Sequence, residues 1–143
     1  MKIEGMIRLK KMKRRLITLC LAAAFAIGAA FPVHAADQYW LLMERSDTEV
    51  STPFMHGNQV GDLYMEALSS NGDIYYAFTD QNDNLLLDGW LNQGSIIQFD
   101  SPSNRPWWFP YSFGPNVTDI KLTLVCNGQN GRGCEGSADL YVH

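Results

Sequence analysis

Histidine, the usual base of nucleophilic catalysis, is scarce in this 143-residue chain, whereas carboxylates are abundant. Nucleophilic catalysis needs a nucleophile, a base within hydrogen-bond reach and a group that orients the base. Downstream of residue 35, histidine occurs only at His56 and His143, and there is no Gly-x-Ser-x-Gly motif. A hydrolytic zinc site needs about three protein ligands, usually with histidine among them. The sequence therefore predicts no catalytic residues, no cofactor and no enzyme activity, although carboxylates alone leave a small two-carboxylate hydrolase open.

Oxygen-bearing side chains at alternating positions offer a candidate metal site. Residues 80–84 read Asp-Gln-Asn-Asp-Asn, and carboxylate and amide oxygens are the ligands that Ca²⁺ prefers. The candidate ligands are Asp80, Asn82, Asn84 and Asp88. An EF-hand loop would need Gly at Leu85 and Glu at Leu91. Since Asp and Asn also bond to their own backbone in ordinary β-turns, we expect a turn here and keep calcium as the alternative.

Rigid apolar side chains are concentrated in residues 101–115, which read SPSNRPWWFPYSFGP. Four prolines exclude a regular helix or a central strand there. If the segment is extended, alternation turns Trp107, Phe109, Tyr111 and Phe113 to one face and Trp108 to the other. Large aromatic residues are usually mostly buried, so we expect three or four of these rings to face inward as a lid.

The aromatic residues that stay exposed predict a binding surface for a protein or a carbohydrate. Proline stiffening reduces the ordering entropy lost on binding, and Trp and Tyr are common interface anchors. The candidate ligand-binding residues are Arg105, Trp107, Trp108 and Tyr111, with most weight on Trp108. An alternative is a secreted, toxin-like or lipid-binding β-sandwich whose loop enters the membrane interface, where Trp and Tyr rings are favoured.

The N-terminal segment has the pattern of a targeting signal. Basic residues between Lys10 and Arg15 precede an apolar run over residues 16–31, and Val33 and Ala35 suit a cleavage site. This predicts a cleaved secretory signal peptide of bacterial type over residues 1–35, with Met12 as an alternative start. The apolar run is short for a spanning helix, and Leu19 does not suit a lipoprotein site at Cys20. We therefore expect export to the periplasm or the medium.

Cleavage at this site would leave an acidic protein of residues 36–143. Its four cationic residues, Arg45, Arg105, Lys121 and Arg132, stand against 14 carboxylates, a formal net charge of −10. Such a charge repels phosphate backbones and anionic bilayers, so nucleic acid is excluded as an expected partner.

Two cysteines, Cys126 and Cys134, remain in that segment, so only one intramolecular disulfide is possible there. Export permits a disulfide, and the polar spacer NGQNGRG between them closes easily. The spacing is not the Cys-x-x-Cys of redox chemistry. We expect a structural disulfide, with a reduced pair as the alternative.

The remaining sequence predicts an all-β fold. Asn, Asp, Gly, Ser and Pro interrupt short runs rich in aromatic and branched residues, which favours one antiparallel β-sandwich domain, residues 36–143. About seven strands are predicted, at residues 39–45, 62–68, 73–79, 85–90, 96–99, 119–126 and 137–142. Residues 47–61 are predicted as a long polar connection, and residues 70–72, Ser-Asn-Gly, as a tight turn.

The last predicted strand has a family resemblance. Residues 136–142, GSADLYV, resemble the Asp-Leu-Tyr-Val strand of bacterial pre-peptidase C-terminal domains, which are secreted β-sandwich modules. In that family further strands follow this segment. The resemblance implies a β-sandwich, and no function is transferred from it.

Overall fold

The computed structural model describes residues 36–68 and 72–143, which contain nine β-strands. They are β1 (Asp37–Met43), β2 (Glu49–Ser51), β3 (Met55–His56), β4 (Val60–Ala67), β5 (Ile74–Asp80), β6 (Leu85–Leu91), β7 (Ile96–Phe99), β8 (Asp119–Cys126) and β9 (Gly136–Val142). Two short 3₁₀ helices lie at Pro102–Asn104 and Gln129–Gly131. The predicted signal peptide and most of the predicted turn at 70–72 lie outside the described residues. None of the helices in the described ranges is long and apolar enough to cross a membrane.

The strands form two antiparallel sheets. Sheet I has the order β1-β9-β4-β7, and sheet II has the order β2-β8-β5-β6, with β3 also paired to β8. Every strand pairing is antiparallel. In sheet I, β1 pairs with β9 along its whole length, from Asp37 opposite Val142 to Met43 opposite Gly136. The all-β prediction is confirmed.

Alternation of apolar residues explains why these segments form strands with one buried face. In β8, Ile120, Leu122 and Leu124 are fully buried, while Lys121 and Thr123 point outward. The inward residues of both sheets belong to one hydrophobic core, which also contains Phe99 and Phe109. Full burial of such a side chain contributes about 1.5–3 kcal/mol of transfer free energy, so the core is the main source of stability.

Residues 47–61, predicted as a polar connection, contain the short strands β2 and β3, both paired with β8. That prediction was wrong, because strands of three and two residues are too short to show alternation. Thr52 bridges the gap between them: its N–H donates to the Leu122 carbonyl at 2.9 Å, and its hydroxyl oxygen accepts the Leu122 N–H at 3.0 Å. Pro53, which lacks an N–H, follows at the interruption.

The predicted disulfide between Cys126 and Cys134 is present, with the two Cα atoms 5.5 Å apart. Cys126 ends β8 in sheet II, and Cys134 lies just before β9 in sheet I. Both cysteines are buried. The bridge therefore joins the two sheets covalently at one end of the core.

Candidate functional site

The segment predicted as a binding surface, residues 101–115, joins β7 of sheet I to β8 of sheet II and is called the aromatic loop below. It begins with a one-turn 3₁₀ helix at Pro102–Asn104. The Ser101 hydroxyl accepts the Ser103 N–H at 3.0 Å, and the Asn104 side-chain oxygen accepts the Ser101 N–H at 3.1 Å. This reciprocal cap fixes the direction in which the chain enters the loop.

A β-turn forms the tip of the aromatic loop. The Phe109 N–H donates to the Pro106 carbonyl at 3.0 Å, so Trp107 and Trp108 occupy the two central positions of the turn. The Trp107 side chain is 95% exposed and that of Trp108 is 36% exposed. The extended alternation expected from the sequence is absent, because the turn directs consecutive residues outward.

Two rings face inward rather than the three or four expected. Phe109 is 2% exposed and packs edge-on against Phe78, with ring centroids 5.6 Å apart. Its centroid lies 4.9 Å from that of Phe99. Phe113 is partly buried beside the same core, and Trp108 rests on Phe109 with centroids 5.9 Å apart. Phe109 is therefore the anchor that ties the turn to the core.

Arg105 connects the aromatic loop to the start of β4 through hydrogen bonds to main-chain carbonyls. Its Nη1 donates to the Pro110 carbonyl at 3.0 Å, and its Nη2 donates to the carbonyls of Val60 and Gly61 at the start of β4. The guanidinium lies 4.4 Å from the centroid of the Phe99 ring. Burial lowers the pKa of Arg105, which stays far above neutral pH because guanidinium is a very strong base. The cation predicted to face a ligand thus makes its contacts within the protein.

The second half of the loop is held to the segment before β4. The Phe113 N–H donates to the Asn58 carbonyl at 2.9 Å, and the Asn58 side-chain amide donates to the Gly114 carbonyl at 3.0 Å. Tyr111 lies between the turn at Pro106–Phe109 and these hydrogen bonds to Asn58, and it is 57% exposed. The fastened loop therefore presents Trp107, Trp108 and Tyr111 outward.

The exposed part of the aromatic loop carries no charge of its own. No Asp, Glu, Lys, Arg or His occurs from residue 106 to residue 118. The three outward rings offer apolar area and the polar atoms of indole and phenol, which suit burial against a partner. Apart from the Tyr111 phenol, residues 106–118 contain no ionisable side chain.

The predicted calcium ligands are divided between two places. Asp80 is 8% exposed and accepts hydrogen bonds from the Asn82 N–H at 2.8 Å and from the Asn84 N–H and side-chain amide, each at 2.9 Å. The Asn84 amide and these backbone donors hold the pKa of Asp80 below its ordinary value. Asp88 lies instead on β6, where its carboxylate accepts the Tyr75 hydroxyl at 2.6 Å. Within residues 36–68 and 72–143, no group of three or more His, Cys, Asp or Glu side chains is arranged to hold a metal ion.

His56 lies beside a carboxylate and a hydroxyl, the three groups of a hydrolytic triad. The His56 ring nitrogen is 3.3 Å from Asp119, and the Thr118 hydroxyl donates to the same carboxylate at 2.7 Å. A triad needs the imidazole between the hydroxyl and the carboxylate, so that it can take the hydroxyl proton. Here the carboxylate lies in the middle and accepts the hydrogen bond from the Thr118 hydroxyl, so the imidazole is not placed to take that proton.

A surface cavity of about 560 Å³ lies away from the aromatic loop. It is lined by Leu42, Met43, Glu44, Arg45, Ser46, Leu68 and Glu135. Arg45 and Glu135 form an ion pair at 2.6 Å across this region, and hydrogen bonding to Glu135 raises the pKa of Arg45. The charges of Arg45 and Glu135 satisfy each other, and Glu44 adds a further carboxylate to the lining.

Comparison with known proteins shows low similarity. No family model matches the chain, and no curated protein matches it. The crystal structure of the infectious bursal disease virus VP2 subviral particle is similar with a TM-score of 0.39 and 13% identity, over 77% of this chain and 33% of that chain. The structure of the infectious bursal disease virus Gx strain is similar with a TM-score of 0.32 and 15% identity, over 76% of this chain and 31% of that chain. This chain thus spans about a third of the length of those chains.

Proposed function

We propose that this protein is an exported, non-catalytic binding module that docks on a partner through its aromatic loop. In this proposal the two sheets pack as one β-sandwich domain, residues 36–143, after removal of a signal peptide at residues 1–35. The disulfide is consistent with export, because such bonds persist in oxidising compartments. The observation that carries the proposal is Trp107, which is 95% exposed at the tip of a turn whose base is buried.

An exposed tryptophan on a fixed turn is well suited to bind. A buried aromatic ring removes roughly 150–250 Å² from water, worth about 4–6 kcal/mol before the entropy of association is subtracted. Phe109 and Arg105 already hold the base of the turn, so less conformational freedom is lost when a partner binds. Exposed and preordered, Trp107 has the properties of an interface anchor.

A protein is the preferred partner over a carbohydrate. Trp107 projects from its turn with nearly all of its surface free, so only a concave site can cover both faces and the edge of the ring. Pockets of this kind are common on protein surfaces that receive aromatic anchors. A sugar ring would cover one face of the indole and leave the rest in water.

Insertion into a membrane interface is the second candidate function. The observation that favours it is the absence of charged residues from 106 to 118 in a sequence that is otherwise acidic. Indole and phenol rings are stable at the depth of lipid headgroups. Because residues 36–143 carry a formal charge of −10, a zwitterionic bilayer is expected rather than an anionic one.

Affinity capture with matched tryptophan variants tests the proposal. Wild type, Trp107→Ala and Trp40→Ala serve as baits for envelope and culture fractions; Trp40 is 63% exposed on β1, away from the loop. We expect a protein retained by wild type and Trp40→Ala and lost with Trp107→Ala, because only the latter removes the anchor. Equal retention by all three baits would contradict the proposal.

Two further titrations separate the classes of partner. A blue shift of tryptophan emission with phosphatidylcholine vesicles, abolished by Trp107→Ala, would support the membrane candidate instead. A shift with soluble glycans alone would support a carbohydrate ligand. Loss of a hydrolytic activity on replacement of a single carboxylate would show an enzyme, against the proposal.

A further inference from the structure

The outward face of sheet II carries a second group of aromatic residues, remote in sequence from the aromatic loop. Tyr75 on β5 and Trp90 on β6 lie directly opposite each other in the strand register. Their ring centroids are 5.2 Å apart and the rings are inclined by 56°. Trp90, on the edge strand β6, is 52% exposed. The two rings form a continuous, angled aromatic surface open to solvent.

A carboxylate is held at the edge of this surface. Asp88 precedes Trp90 by two residues, so the two side chains leave β6 on the same face. The Tyr75 hydroxyl donates to Oδ2 of Asp88 at 2.6 Å. That hydrogen bond raises the pKa of Tyr75 above its ordinary value. One side chain thus links the aromatic surface to a fixed negative charge.

The charge on Asp88 has no cation to balance it in the described part of the chain. The ion pairs found there join Arg45 to Glu135, His56 to Asp119 and Lys121 to Asp83. Oδ1 of Asp88 accepts no hydrogen bond from the same residues. A carboxylate oxygen with free acceptor capacity thus lies at the edge of the Tyr75–Trp90 pair, and both the carboxylate and the faces of the two rings attract positive charge.

The residues beside the carboxylate in the sheet have short side chains. Ala77 lies opposite Asp88 in the register, and Thr123 lies opposite Ala77 on the next strand. Ala77 is only 9% exposed, so a ligand would reach Asp88 and the Trp90 ring from the solvent side of the sheet. Such an open surface suits a compact group.

We propose that Trp90, Tyr75 and Asp88 form a binding site for an alkylated ammonium group. A primary ammonium is strongly hydrated and would lose that hydration over the rings, whereas alkylated nitrogen is weakly hydrated and presents methyl groups to π-faces. A neutral ligand would gain the aromatic contact and leave the charge of Asp88 unused. The chemistry is shared by free quaternary amines and by choline headgroups of lipids.

Choline and its neutral isostere 3,3-dimethylbutan-1-ol provide the test, because they differ chiefly in charge. The indole N–H resonance of Trp90 in the purified protein reports binding at this site, and constant ionic strength removes screening differences. We expect choline to shift this resonance saturably, with the isostere about threefold to tenfold weaker. Asp88→Asn should weaken choline binding about twofold to fivefold, because it removes one exposed charge.

Other variants keep the result interpretable. Trp40→Phe should leave choline affinity unchanged, since Trp40 lies on sheet I. Tyr75→Phe retains the ring but releases Asp88, so binding should weaken while the fold persists. Phosphatidylcholine vesicles distinguish the two sources of the ligand. If the ligand is a lipid headgroup, the vesicles should shift the Trp90 resonance as choline does. If it is a soluble amine, free choline should shift the resonance and the vesicles should not. An equal response to the isostere, no choline shift at Trp90, or an Asp88→Asn variant that binds like wild type would overturn the proposal.

Discussion

Arg105 shows how one side chain can hold the aromatic loop through contacts made within the protein. Its guanidinium reaches main-chain carbonyls of Val60, Gly61 and Pro110 and lies over the Phe99 ring. A planar cation with several donors can make these contacts at once, which a single ammonium cannot. Arg105 therefore acts as a positioning residue for the segment that carries Trp107 and Tyr111.

Replacing Arg105 by Lys tests this positioning role. The charge remains, but two of the carbonyl contacts and the stacking on Phe99 are lost. We expect the free energy of unfolding to fall by about 1–3 kcal/mol, measured by urea denaturation. Arg132→Lys, at an exposed position between β8 and β9, is the matched control. Equal stability of the two variants would mean that Phe109 alone holds the loop.

The turn between β5 and β6 is held together mainly by hydrogen bonds to one carboxylate, that of Asp80. Asp80 accepts three hydrogen bonds from Asn82 and Asn84, and its backbone N–H donates to the Asn84 carbonyl at 3.0 Å. Asp83 adopts a φ of 59°, the left-handed conformation that such tight turns need. The turn sets the register between the two strands that carry Tyr75, Asp88 and Trp90.

Acidification should weaken this turn. The pKa of Asp80 is lowered in the folded state, so its contribution to stability is complete above the unfolded pKa, near 3.9, and is lost as pH falls through the folded value. Urea denaturation of wild type and Asp80→Asn at neutral pH and near pH 3 measures this. We expect Asp80→Asn to be less stable at neutral pH and to lose less stability in acid.

Asp62→Asn, an exposed carboxylate outside the turn, is the control for that comparison. Identical pH profiles for wild type and Asp80→Asn would contradict the prediction. A fall in melting temperature on addition of EDTA would show that the turn binds calcium, since the hydrogen bonds to Asp80 need no metal.

Strands in which apolar and polar residues alternate over many positions could be predicted from the sequence. Hydrogen bonds between residues that are distant in sequence could not. β8 has the predicted bounds because its own residues alternate, and β7 has them because turn residues flank a short apolar run. The turn that exposes Trp107 escaped prediction, because the surrounding prolines favour an extended chain and the Pro106–Phe109 hydrogen bond leaves no periodic pattern. The inward direction of Arg105 depends on carbonyls 44 and 45 residues away, which no local pattern reveals.

At the scale of the whole molecule, the two sheets share one hydrophobic core and are cross-linked by one disulfide bond. The Cys126–Cys134 bridge closes the short connection between β8 and β9. Because the connection crosses from sheet II to sheet I, the bond limits how far the sheets can separate when the protein unfolds. Its effect should therefore reach beyond the loop that it closes.

Removing this bond should lower stability without changing the native fold. For Cys126→Ala combined with Cys134→Ala, we expect a loss of about 2–3 kcal/mol in the free energy of unfolding. Guanidinium denaturation of the variant and of wild type measures the loss, and wild type under reducing conditions is the control. If the variant unfolded at the same denaturant concentration as oxidised wild type, the packing alone would hold the sheets together.

The pairing of β1 with β9 has a consequence for how the protein acquires its structure. The first and last described strands are hydrogen-bonded neighbours, and β9 lies between β1 and β4. A polypeptide that has not yet been synthesised through β9 lacks the strand that lies between β1 and β4, so sheet I cannot be completed until β9 is present. Contacts of such large sequence separation make folding slow. The topology thus makes the completion of sheet I a late event in folding.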